Sequence, residues 1–183
     1  MDLPKRKPNR LPAFDYSTPG AYFITICTQD MRPILGTVVG GGALDAPSGH
    51  LTEYGRIIEH HILSGDRIPS VRVDKYVIMP NHIHMILLIN GVLEPSAYSG
   101  TSRAPSPTNA VIPRFVSVFK RLCHQEIGKK IFQRSYHDHV IRDTNDYQRI
   151  WQYIDNNPSR WCEDCFYTDA LPDQDISGGF HEH

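Results

Sequence analysis

The 183-residue chain predicts an α+β fold: an antiparallel sheet with helices on one face and an additional C-terminal helix that carries a tyrosine. Three observations predict it. Short apolar or aromatic runs bounded by Gly, Pro and Asn read as strands. Longer stretches repeat their apolar residues at helical spacing. The two kinds of segment alternate in the order strand, helix, strand, strand, helix, strand, helix.

The first strand is Ala21-Tyr22-Phe23-Ile24-Thr25-Ile26-Cys27-Thr28, rich in aromatic and β-branched residues. Gly40-Gly41-Gly42 and Ala46-Pro47-Ser48-Gly49 mark a flexible loop over about 37–50. Thr52 then reads as an N-cap for a short helix whose Tyr54, Ile57, Ile58 and Ile62 share a face. Val71 to Met79 alternates like a strand, and Pro80-Asn81 joins it to the apolar run Ile83 to Ile89 as a hairpin. Ser, Pro, Gly and Thr dominate 91–110, which predicts a long loop or disordered insert. Val111, Phe115, Val118, Phe119, Leu122 and Ile127 define a second amphipathic helix with Lys120 and Arg121 on its flanks. Phe132 to Ile141 reads as a fourth strand, and Asp143-Thr144-Asn145-Asp146 supplies caps for a third helix over about 147–156. The first six elements match the split βαββαβ order of a ferredoxin-like sheet, whose open face is available to a ligand.

Composition bounds the class. At 40% hydrophobic and 21% charged, the chain suits one soluble domain over 20–161, between a basic, proline-containing arm (1–19) and a tail (162–183). No run approaches the roughly 18 apolar residues of a membrane helix, and Met1 to Lys7 lacks a signal-peptide core, so a cytoplasmic location without membrane contact is expected. Four scattered cysteines do not make a disulfide scaffold. Cys162 and Cys165 form a C-x-x-C, but the nearby His181 and His183 are too closely spaced for the usual zinc-finger pattern. Net charge is −1, yet Lys5, Arg6, Lys7 and Arg10 crowd the N-terminus. Arg114, Lys120, Arg121, Lys129, Lys130, Arg134 and Arg142 likewise outnumber the acids between 114 and 142. A local basic excess is either a solvated face or the footprint of a phosphate-backbone binder.

The chemistry-bearing residues are few. His82 and His84 open an apolar strand and emerge on the same face about 7 Å apart. There they either share a metal ion or hydrogen-bond neighbouring groups. Tyr153 and Asn157 stand four residues apart, so a phenol and an amide leave one helix face together. The alternative is that Tyr153 packs and Asn157-Pro158 simply stops the helix. His137-Asp138-His139 is a second His-x-His that ranks below the first.

Four segments in one order resemble the REP-associated tyrosine transposases of the HUH single-strand endonuclease superfamily. They are Tyr76-Val77-Ile78-Met79-Pro80-Asn81-His82-Ile83-His84, Phe119-Lys120-Arg121, Tyr136-His137-Asp138-His139-Val140-Ile141-Arg142 and Tyr153-Ile154-Asp155-Asn156-Asn157-Pro158. Tyr22 to Thr28 also fits, and the likeness spans roughly residues 10 to 161. The resemblance implies that His82 and His84 bind a divalent ion, Mg²⁺ or Mn²⁺, with Asn157 as third ligand. It implies that Tyr153 is the nucleophile, forming a 5′-phosphotyrosine with a free 3′-OH on single-stranded or hairpin DNA. The base that takes the phenol proton is not identified, and Asp155 points to another side of the helix. Arg114, Lys120, Arg121, Arg134 and Arg142 are the candidates for phosphate contact. Some HUH transposases exchange the tyrosine helix between subunits, whereas the REP-associated group is expected not to; monomer and homodimer both stay open. The competing readings are a non-catalytic ferredoxin-like nucleic-acid-binding module and a hydrolase using activated water.

Overall fold

The computed structural model describes residues 16–39, 48–64, 70–90 and 110–168. The start of the basic arm, the tip of the first predicted loop, most of the insert at 91–110 and the end of the tail lie outside them. The elements are β1 (Gly20–Cys27), β2 (Gly36–Val39), β3 (Ser48–Leu51), α1 (Glu53–Leu63), β4 (Val71–Ile78), β5 (His82–Ile89), α2 (Val111–Ile127), β6 (His137–Ile141) and α3 (Thr144–Asn156). A 3-10 helix, Pro158–Glu163, continues from α3.

The four-stranded sheet has the order β4-β5-β1-β6 with every neighbour antiparallel, which is the ferredoxin-like arrangement. Central β1 and β5 are apolar almost throughout because both of their faces are covered. Alternate residues divide between two cores. Ile24, Ile26, Ile83, Met85 and Leu87 pack with Ile58 and Ile62 of α1 and Ile112, Phe115 and Phe119 of α2. On the opposite face Ile86, Phe23, Val77 and Leu88 pack with Ile150, Ile154, Tyr147 and Trp151 of α3. The face expected to be open is therefore partly roofed by the third helix.

Local chemistry sets the helix ends. Thr52 Oγ1 accepts from the Gly55 amide, and Asp143 accepts from the Asp146 amide, starting α3 at Thr144, a turn earlier than expected. Gly128, at φ 79°, closes α2 in the left-handed region. Two expectations change. The arms of the first loop pair as β2 and β3, Gly36 opposite Leu51 and Val39 opposite Ser48. The fourth strand is confined to 137–141: the Gln133 and Ser135 carbonyls turn to the Lys120 ammonium at 2.8 and 2.9 Å instead of joining the ladder.

A β-bulge fixes α3 on the sheet. Val73 pairs with Leu87 and Lys75 with Ile86, leaving Asp74 as the extra residue. Both Asp74 and Lys75 consequently reach α3. Asp74 accepts from the Tyr147 hydroxyl, while Lys75 pairs with Asp155 and lies 4.5 Å from the centre of the Trp151 ring. One end of the helix is held by each contact. Tyr147→Phe removes a hydrogen bond to a charged acceptor, and urea unfolding is expected to show a loss of about 1 to 2 kcal/mol; an unchanged midpoint would show that Asp74 does not hold α3.

Candidate active site

β5 begins where β4 turns back through Pro80-Asn81, so His82 and His84 stand at the end of the sheet on the face that α3 covers. Their strand neighbours are Cys27 and Thr25 of β1, and Thr25 is in turn opposite His137 of β6. Both imidazoles are buried, at 0% and 1% exposure, so every ring nitrogen needs a partner.

Those partners set the tautomers. Asn81 Nδ2 donates to the Phe166 carbonyl at 2.7 Å and to the Met31 carbonyl at 3.3 Å, which orients its amide with Oδ1 toward His82. Oδ1 only accepts, so His82 Nδ1–H donates to it at 2.9 Å and the Nε2 lone pair faces inward. His84 Nδ1 lies 2.8 Å from Thr25 Oγ1, and a hydroxyl can serve as donor or acceptor. The two Nε2 atoms are 3.0 Å apart. When the Thr25 hydroxyl donates, His84 Nε2–H closes that gap by donating to His82; when it accepts, both lone pairs converge on one point.

Aromatic rings wall this centre. Phe23 stacks on His84 at 5.1 Å, Phe166 lies 4.7 Å from His82, and Trp161 lies 5.9 Å from His82. Burial depresses the His82 pKa to about 4, opposed by the charge of Asp164, and drives His84 well below the ordinary imidazole range, with the His82 charge adding to the effect. Both rings are neutral at pH 7, the state a metal ion requires.

α3 and the residues after it supply the oxygens. Tyr153 packs edge-on against Phe23 at 6.1 Å, and its hydroxyl lies 3.2 Å from His84 Nε2. The same hydroxyl donates to Asp164 Oδ2 at 3.0 Å, and Asn157 Nδ2 donates to that oxygen at 2.9 Å. Burial raises the phenol pKa above its usual value, and the Asp164 charge raises it further. Burial also raises the Asp164 carboxyl pKa. Hydrogen bonds from the Phe166 amide, Asn157 and Tyr153, together with the His82 charge, outweigh that and hold it below the ordinary range. Donor atoms of His82, His84 and Asp164 all lie within 4.8 Å of one another. Asn157 is buried at 3% exposure, and its Oδ1 has no hydrogen-bond partner. A buried carbonyl oxygen without a donor thus lies beside a carboxylate and two inward-facing imidazoles, groups of the kind that can hold a cation.

His82, His84, Tyr153 and Asn157, the four residues singled out in the sequence, thus come together at one end of the sheet. The basic candidates do not. Lys120 is 9% exposed, its ammonium donates to two backbone carbonyls, and burial lowers its pKa to about 8. Arg114 and Arg121 are exposed on α2, across the sheet from Tyr153. Arg134 is exposed in the stretch before β6, and Arg142 lies by the start of α3. Arg149 and Arg160 instead flank the tyrosine. In the second His-x-His, His139 pairs with Asp146 at 2.7 Å while His137 turns toward Phe166. Asp164, Phe166, Thr25 and Asn81 escape sequence reasoning. The domain boundary expected at 161 leaves Asp164 and Phe166 in the tail, yet both pack on the histidines. Only the pairing of an acid with a nearby aromatic hints at them.

The four-stranded sheet with a helix across its histidine face is a fold shared with a solved transposase. A REP-associated tyrosine transposase solved with a REP hairpin superposes with a TM-score of 0.55 at 21% identity, over 83% of this chain and 72% of that one. A putative transposase of Deinococcus radiodurans gives a TM-score of 0.43 at 15% identity, over 80% of this chain and 97% of that one. In sequence, the chain belongs to one family with an uncharacterized protein of Haemophilus influenzae, 30% identical over 178 residues that cover 90% of this chain and 94% of that protein. No protein-family model matches the chain. Among the described residues no helix is long and apolar enough to cross a membrane.

The neutral histidines carry a pH signature. Between about pH 4 and 6.5 the unfolded chain binds protons at His82 that the folded chain refuses, so stability falls as pH drops through that window. Urea unfolding at pH 7 and pH 5 is expected to differ by about 2 kcal/mol from His82 alone. The His82→Asn variant should lose that increment; an equal acid response in both proteins would show that His82 is protonated in the folded state.

Proposed function

We propose that this protein cleaves and rejoins single-stranded DNA through Tyr153, with a divalent ion, Mg²⁺ or Mn²⁺, held by His82 and His84. The observation that carries this reading is the Tyr153 hydroxyl 3.2 Å from the nitrogen of a buried, neutral histidine pair. Nucleic-acid binding alone has no use for that juxtaposition. The fold shared with a transposase solved on a REP hairpin supports single-stranded or hairpin DNA as the substrate. Asn157 Oδ1 is the oxygen ligand that the site offers beside the imidazoles, and the Asp164 carboxylate adds negative charge next to them. When bound, the ion supplies Lewis-acid polarisation of a non-bridging phosphoryl oxygen.

The chain's own residues perform the rest. Phe23 and His84 fix the phenol ring, so the hydroxyl is aimed before substrate arrives. Asp164 Oδ2 already accepts the phenol hydrogen bond and takes its proton as Tyr153 Oη attacks phosphorus. One P–O bond forms, the P–O3′ bond breaks, and the departing O3′ takes a proton from solvent water while Asp164 keeps the phenol proton. The resulting 5′-phosphotyrosine keeps the energy of the broken ester, so a 3′-OH can reverse the step without ATP. The contacts that Asp74 and Lys75 of β4 make with α3 of the same chain support a site completed within one protomer.

Incubation with single-stranded oligonucleotides carrying flanking palindromes and Mn²⁺ is expected to give a covalent protein–DNA adduct on a denaturing gel. Tyr153→Phe and His82→Ala should abolish it, and Asp164→Asn should slow it by about 100-fold or more. An adduct that survives Tyr153→Phe removes the nucleophile assignment. Salt-sensitive binding by the wild type with no adduct under any metal would instead favour the binding-module reading.

A further inference from the structure

We propose that the cleft beside Tyr153 seats the nucleotide on the 3′ side of the cleaved bond. In this site Arg149 and Arg160 lie on its phosphates and the Gln152 and Asn156 carboxamides lie on its base. The inference rests on the cleavage reaction proposed above and adds to it where the retained strand goes.

Tyr153 is closed on its inner side by Phe23 and His84 and held at its hydroxyl by Asp164, yet 41% of the residue stays exposed. That exposed side opens into a cleft of about 330 Å³. Arg149, Gln152 and Asn156 of α3 form one wall, and Arg160 and Glu163 of the following 3-10 helix form the other. The volume lies at the lower end of those that hold small ligands.

Chemistry decides which nucleotide belongs there. Attack by Tyr153 Oη forms the O–P bond and breaks P–O3′, so the upstream strand leaves as a 3′-OH on the side opposite the tyrosine. The phosphoryl group stays on the tyrosine together with the nucleotide attached through its 5′ oxygen. That nucleotide is covalently tethered at the mouth of this cleft.

The lining suits it. Arg149, Gln152, Tyr153, Asn156 and Arg160 follow one another at intervals of 3, 1, 3 and 4, so the stripe past the tyrosine is polar throughout. Among the described residues the Gln152 and Asn156 side chains have no hydrogen-bond partner, and each carboxamide offers the donor and acceptor that read a base edge. Arg149 donates through one Nη to Asp146 at 2.6 Å, which orients the guanidinium and leaves donors for a phosphate. Arg160 faces Glu163 only at 3.7 Å and is 72% exposed, a weak pair that a phosphate can displace. Glu163 lines the same cleft, so Arg149 and Arg160 are the lining groups that attract a phosphate beyond the one bonded to Tyr153.

The test is a covalent-capture assay with single-stranded oligonucleotides that differ only in the base immediately 3′ of the cleaved bond. The wild type is expected to favour one base by about tenfold in adduct rate. Gln152→Ala with Asn156→Ala should level that preference, while circular dichroism and the thermal shift on adding Mn²⁺ stay as in the wild type. Arg149→Ala and Arg160→Ala should each raise KM more than they lower kcat and reduce the salt slope by about one. Adduct formation with no base preference, or a preference and salt slope that survive these substitutions, overturns the assignment of the cleft while leaving the cleavage reading intact. No adduct from the wild type with any oligonucleotide overturns the cleavage reading and takes this inference with it.

Discussion

Two neutral imidazoles buried at the end of an apolar sheet are the constraint around which this site is organised. Burial keeps both rings uncharged, so each of their nitrogens must be satisfied by a neighbouring group or by a cation. Asn81 settles the tautomer of His82 because its own amide is already committed to two backbone carbonyls. Thr25 completes His84 from the neighbouring strand. The inward-facing nitrogens are thus a product of partners outside the His-x-His itself, which is how metal-binding histidines are ordinarily oriented.

The tyrosine reaches that centre by a different route. α3 contributes little to the main core; it lies on the second face of the sheet, and its placement depends on Ile150 and Ile154 over Ile86 and on the bulge at Asp74. A regular strand would send Asp74 and Lys75 to opposite faces. The bulge turns both to the helix and holds it near its two ends. Positioning of Tyr153 is therefore distributed between packing and a few polar contacts on an edge strand.

Asp164 couples the two halves. It accepts from Tyr153 and Asn157, and its backbone neighbour Phe166 is bonded to Asn81 while its ring covers His82. A segment that reads as a tail therefore contributes both an oxygen donor and part of the water-excluding wall. Burial raises the pKa of the phenol, and the charge of the carboxylate it touches raises it further.

Most of the fold was legible from the sequence because it rests on local signals. Apolar runs, helical spacing, Thr52 and Asp143 as caps, and the order of elements are properties of neighbouring residues. His82, His84, Tyr153 and Asn157 were legible for the same reason: each pair lies within one element at a spacing that shares a face. Lys120 shows the limit, since nothing in its surroundings in sequence reveals that its ammonium folds back onto the 133–135 carbonyls. Asp164, Thr25, Asn81 and the Arg149–Arg160 cleft depend on contacts between residues far apart in the chain, and the division of helices between the two sheet faces does too. The sequence by itself determined which groups could do chemistry and on which elements they stand. The tertiary structure decided which of them meet, because burial, tautomer and proton partner are set by neighbours that only folding brings together.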